Sequence, residues 1–128
     1  MQVMRIDERN LCREGTGVNF VVFIYKGGDD PNKSSSVDGH KSWSVDSYLL
    51  TDADFTEVLA WLGENLPREA CYSVGVVFDP PRPTADSEVA VMWVLGADLL
   101  NQDPRYWTSV ERRIAEGMLS RRHRVSIP

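Results

Sequence analysis

This 128-residue chain holds few imidazoles and thiols, the side chains most used as transition-metal ligands and as bases or nucleophiles near neutral pH: His40, His123, Cys12 and Cys71. Metal centres built from such residues usually draw on closely spaced pairs. Here the four are scattered along the chain with no CxxC or Cys/His cluster, so a two-histidine site requires the loop around residue 40 to meet the C-terminal end. A serine nucleophile needs a positioned base, and no G-x-S-x-G elbow occurs. Asp38 is the acid near His40, and neighbours two apart do not make a triad. Cys71 opens an apolar stretch and is expected as a small buried core residue, not a nucleophile.

The stretch GGDDPNKSSSVDGHKSW, residues 27–43, concentrates glycines, carboxylates, hydroxyls and a histidine. Counted as a calcium loop from Asp30, it offers Asp30, Asn32 and Ser34, but Ser35 replaces the turn glycine and Lys41 replaces the bidentate glutamate. A lysine there repels the ion. Neither glycine-rich phosphate motif is present. The stretch therefore predicts a long exposed connection over residues 27–42, of the kind that carries partner recognition on rigid sheets.

Carboxylates do cluster, around Asp52, Asp54 and Glu57 and around Asp79, Asp86 and Glu88. General acid catalysis needs one member desolvated, and these positions fall at exposed element ends. PPRP at residues 80–83 fits P-x-x-P, but the same residues suit a turn. No enzyme activity, metal or cofactor is expected.

The elements that must position these groups are legible from periodicity. Residues 17–26, GVNFVVFIYK, are apolar on both alternating faces, as in a central strand. WSVDSYLL, residues 43–50, is its expected antiparallel partner, and residues 3–6 are a candidate edge strand. In the following stretch Phe55, Val58, Leu59, Leu62 and Leu66 recur at helical spacing. Thr51 and Asp54 read as the start signal, with Asp52 and Asp54 in the first turn, and Pro67 stops the helix. Trp61 falls at the flank of this apolar stripe. CYSVGVVFD and EVAVMWVLG then predict a hairpin with a loop at residues 80–87, the second strand placing Val89, Val91, Trp93 and Leu95 on one face. Asp103 and Pro104 open a second helix with Trp107, Val110, Ile114 and Met118 inward, and RVSIP is a candidate last strand.

A chain of 128 residues with 42% hydrophobic and 26% charged residues supports one α+β domain over residues 1–128. The expected object is a mostly antiparallel sheet of four to five strands with two helices on one face. From residue 43 the order matches the split βαβ of ferredoxin-like domains, preceded by an extra strand or hairpin. The N-terminus lacks an apolar leader and the longest apolar run, residues 89–95, is too short to span a bilayer. A cytoplasmic protein with reduced thiols and no membrane contact is expected.

Net charge is −5, unevenly spread: residues 105–128 hold six arginines against two glutamates, so the preceding body is strongly acidic. Such a body disfavours nucleic acid and speeds encounter with a basic partner. The SRRHR run is the best candidate for phosphate contact, yet cations at a helix C-terminus are favoured by the dipole alone. What remains is an acidic surface interleaved with tryptophan: Asp29, Asp30, Asp38, Trp43, Asp46, Asp52, Asp54, Glu57 and Trp61. Carboxylates guiding an aromatic anchor suit a steered protein interface. The sequence thus predicts a small acidic interaction protein that binds and neutralises a basic protein, such as a toxin or nuclease, as inhibitors and immunity proteins do. The alternatives are a small-ligand-binding protein or enzyme with its pocket between sheet and loop, and a regulatory module touching nucleic acid through its C-terminal arginines.

Overall fold

The computed structural model describes residues 1–7, 9, 17–28 and 42–122. Four strands, β1 (Val18–Lys26), β2 (Ser44–Ala53), β3 (Cys71–Asp79) and β4 (Ala90–Leu95), form one antiparallel sheet in the order β2-β1-β3-β4. Helix α1 (Phe55–Asn65) links β2 to β3, and α2 (Ser109–Ser120) follows β4 after a 3-10 turn at Pro104–Tyr106. β2 and β3 both run antiparallel to β1, so they are parallel to each other and joined by α1. This is a split βαβ unit whose gap is filled by the N-terminal strand. The α+β class, the antiparallel sheet and the two helices agree with the sequence.

The helices, however, pack on opposite faces of the sheet. Val58, Leu59 and Leu62 of α1 join Phe20, Val22, Ile24, Tyr72 and Val74 in one cluster. Ala115 and Met118 of α2 join Tyr25, Cys71, Trp43, Leu99, Leu100 and Trp107 in another. Successive strand residues point to opposite sides, and β1 and β3 are apolar at both alternating sets, so each face needs its own cover.

Other expectations are corrected locally. Residues 3–6 are not a strand, and Val3, Met4 and Ile6 are exposed. Thr51 and Asp52 belong to β2, and the N-cap of α1 is Asp54, whose carboxylate accepts from the Glu57 amide at 2.8 Å while Glu57 accepts from the Asp54 amide at 3.1 Å. Asp103 caps the 3-10 turn, whereas α2 opens five residues later on a second capping box, Thr108 with Glu111. That rotates the buried stripe of α2 onto Ala115 and Met118 and leaves Val110 exposed. In β4 a register irregularity opposite Val74 and Gly75 lets Trp93 pair with Gly75 and Leu95 with Val74. Leu95 therefore packs against the α1-side cluster, and Trp93 sits on the α2 side, 5.2 Å from the Phe23 ring. The expected last strand over RVSIP lies outside the described residues.

Candidate partner-binding surface

The outer strand β2 carries, toward α1, residues set opposite the inward side chains of β1: Asp46 opposite Ile24, Tyr48 opposite Val22 and Leu50 opposite Phe20. α1 crosses this edge and brings Trp61 over Tyr48, the rings meeting edge to face at 5.0 Å. Trp61 is half-buried and Tyr48 is exposed, so the pair shows aromatic surface to solvent without leaving the core's edge. Around Trp61 the helix spacing places Glu57 one turn before and Glu64 one turn after, both exposed.

The acids on this side differ in how they are held. Asp46 pairs with Lys26 across the β1–β2 ladder at 2.6 Å, and that carboxylate raises the pKa of the lysine. Asp54 is occupied by the cap; hydrogen bonds from the Thr56 hydroxyl and then the Glu57 amide lower its pKa. Asp52 is exposed at the end of β2 with a positive φ of 50°, a conformation that Asp tolerates better than most residues, and its amide donates to the Asn19 side chain at 3.1 Å.

Of the nine sequence-predicted residues, Asp46, Glu57 and Trp61 converge on this surface, with Asp52 and Asp54 at its end where β2 turns into α1. Asp29, Asp30 and Asp38 lie outside the described residues. Trp43 is a core residue, 4% exposed, and offers little area to a partner. Its backbone is clamped by the Asn101 side chain, which accepts from the Trp43 amide at 2.8 Å and donates to the Trp43 carbonyl at 2.9 Å. Gly28 lies flat against its ring, where a Cβ would sit 2.2 Å from the indole. Tyr48 was missed by the sequence reading. Its signal was its place two residues after Asp46 on an edge strand, which acquires meaning once α1 is known to cross there.

Several described arginines of the basic C-terminal segment have intramolecular partners. Arg105 pairs with Asp103, Arg112 donates to the Pro104 carbonyl and covers the Trp107 ring, and Arg122 stacks on Trp43. A separate open groove of about 300 Å³ lies on the α2 side, between Val21, Phe23 and Leu49 of the sheet and Thr84, Ser87 and Val89 of the hairpin loop. The Tyr25 hydroxyl is held inside the protein, where it meets Ser73 Oγ at 3.1 Å and donates to Asp98 Oδ1 at 3.0 Å; burial, above all, pushes its pKa far up. This hydroxyl is a satisfied core group rather than an acid–base centre. Among the described residues no three His, Cys, Asp or Glu side chains converge as metal ligands, and no helix is long and apolar enough to cross a membrane. No family model, curated protein or solved structure matches the chain.

Proposed function

We propose that the protein is a non-enzymatic interaction module that binds a basic protein partner and neutralises it, in the manner of an inhibitor or immunity protein. The observation that carries this is the solvent-facing Tyr48–Trp61 pair, ringed by Asp46, Glu57 and Glu64 on the outer strand and its crossing helix. Aromatic anchors supply most of the binding energy of such interfaces, and surrounding charge sets the encounter rate. Trp61, not the buried Trp43, fills the anchor role, and the exposed Asp52 and Glu64 join the steering charges.

The test is capture of the partner from native extract followed by binding kinetics at low and high salt. Glu64→Lys with Asp52→Asn should slow association severalfold, and salt should do the same through screening over about 8–10 Å. Trp61→Ala should speed dissociation at least tenfold while the protein stays folded. Association indifferent to salt and to both charge changes would sink the proposal. A small-ligand function has one observation in its favour, the groove between sheet and hairpin loop. Chemical-shift changes confined to Val21, Phe23, Leu49 and Val89 on screening apolar small molecules would favour it instead.

A further inference from the structure

The molecule stacks arginine on tryptophan twice within itself: Arg122 lies 4.6 Å over the Trp43 ring and Arg112 5.5 Å over the Trp107 ring. Among the described residues no cation covers Trp61, although acids flank it on its own helix. Tyr48 meets the indole edge to face at 5.0 Å, an arrangement that leaves at least one indole face uncovered by Tyr48. The three acids of this surface are not equivalent. Asp46 is paired with Lys26 at 2.6 Å, and one oxygen of Glu57 accepts from the Asp54 amide in the helix cap. Glu64 has no ion-pair partner among the described residues, and the exposed Arg68 beyond the helix does not pair with it. Glu64 also sits in the last turn of α1, which holds no basic residue. The helix dipole places negative potential there, and a carboxylate adds to it instead of offsetting it.

We infer that this site recognises an arginine side chain of the partner, its guanidinium lying on the uncovered face of Trp61 and pairing with Glu64. The inference rests on the reading of this surface as the partner-binding one, and it names the group that the partner presents there. A planar guanidinium stacks on an indole and offers a carboxylate two parallel N–H donors, whereas an ammonium is a compact, more strongly hydrated charge without that fork. Helix geometry sets Glu64 about 4.5 Å along the axis from Trp61 and on the same side of α1. One guanidinium can therefore engage both. Glu57, a turn before the ring and tied to the cap, contributes charge to the encounter.

The probe is a blocked glycine-arginine-glycine peptide, added to the full chain at low salt beside its lysine and citrulline counterparts. Citrulline keeps the planar group and removes its charge. A single side chain on an open surface binds weakly, with a Kd of about 1–50 mM expected. The indole N–H resonance of Trp61, assigned through Trp61→Phe, should shift with the arginine peptide, roughly fivefold less with the lysine peptide and not with citrulline. Glu64→Gln, an exposed change that leaves the cap of α1 intact, should weaken the arginine response roughly fivefold or more, whereas Glu116→Gln on α2 should leave it unchanged. A Trp61 resonance that ignores arginine, answers lysine equally, keeps its full response in Glu64→Gln or loses as much in Glu116→Gln would overturn the inference. Its fate is separable from that of the wider proposal. Salt-dependent binding of a captured basic partner by a chain without preference for the arginine peptide leaves partner binding standing and removes the arginine site; arginine recognition by a chain that captures no basic partner does the reverse.

Discussion

The guanidinium of Arg122 lies 4.6 Å over the ring of Trp43, and the same group donates to the Glu69 carbonyl at 2.6 Å and to the Gly28 carbonyl at 3.1 Å. One side chain just past α2 therefore ties together the end of β1, the approach to β2 and the approach to β3. Removing it leaves two carbonyls to find water and uncovers an indole. Arg122→Ala should cost about 2 kcal/mol, from the charged hydrogen bonds and the cation–π contact together. Arg122→Lys should recover part of this at most, because an ammonium lacks the planar fork that meets two carbonyls and a ring at once. Denaturant melts of both variants check this; equal stability of Arg122→Ala and the unmodified protein would remove the clamp.

Val74 is fully buried on β3 and Trp61 is half-buried at the flank of α1. Val74→Ala should lower stability by about 2 kcal/mol, since the cavity opens in the cluster that Val74 shares with Val22, Val58 and Leu62, between a sheet and a helix that cannot collapse freely. Trp61→Ala should cost less despite the larger truncation, as solvent already reaches the ring. A thermal melt in which Trp61→Ala is the more damaging change would contradict the packing of α1 described above.

Gly75 sits mid-strand in β3, where a Cβ would come within 2.2 Å of Val91 Cγ1 and 3.0 Å of the Trp93 ring. Glycine in a strand interior is usually unfavourable, so alanine would ordinarily help. Here the sign reverses, because Val91 and Trp93 occupy the space on the neighbouring strand. Gly75→Ala should destabilise by about 1–3 kcal/mol through overpacking, and a stabilised variant in urea unfolding would show that β4 can shift outward without loss.

The folded Asp54 carboxyl has a lowered pKa because it accepts from the Thr56 hydroxyl and the Glu57 amide. A lowered folded pKa means that the cap contributes fully above the unfolded value, about 3.9, and is lost as pH falls through the lower folded value. Asp54→Asn should cap α1 comparably near pH 7, since Asn and Asp are similar N-cap residues, but without this titration. Melting temperatures of the two proteins should therefore differ little at pH 7 and converge or cross over the interval in which pH falls below the unfolded value of about 3.9. Parallel curves over that interval would show that the cap does not depend on the charge of Asp54.

What the sequence by itself determined were features carried by neighbours a few residues apart. Alternation over Val18–Lys26 and Cys71–Asp79 dictates strands buried on both faces, and three-and-four spacing dictates the buried stripe Val58, Leu59 and Leu62 of α1, whereas Phe55, expected in the same stripe, is exposed in the first turn. The half-buried flank position of Trp61 follows from the same helical geometry. Only the tertiary structure decided which strand fills the gap between β2 and β3, and hence that α1 and α2 cover opposite faces. It also decided the fate of the two tryptophans in the predicted acidic surface. Trp43 is buried by Gly28, Asn101 and Arg122, residues at least fifteen positions from it in sequence, whereas Trp61 lies at the surface, where Tyr48 of the outer strand meets it. Periodicity reports which side of its own element a residue faces. Which other element covers that side depends on contacts distant in sequence, and these exist only once the sheet order is set.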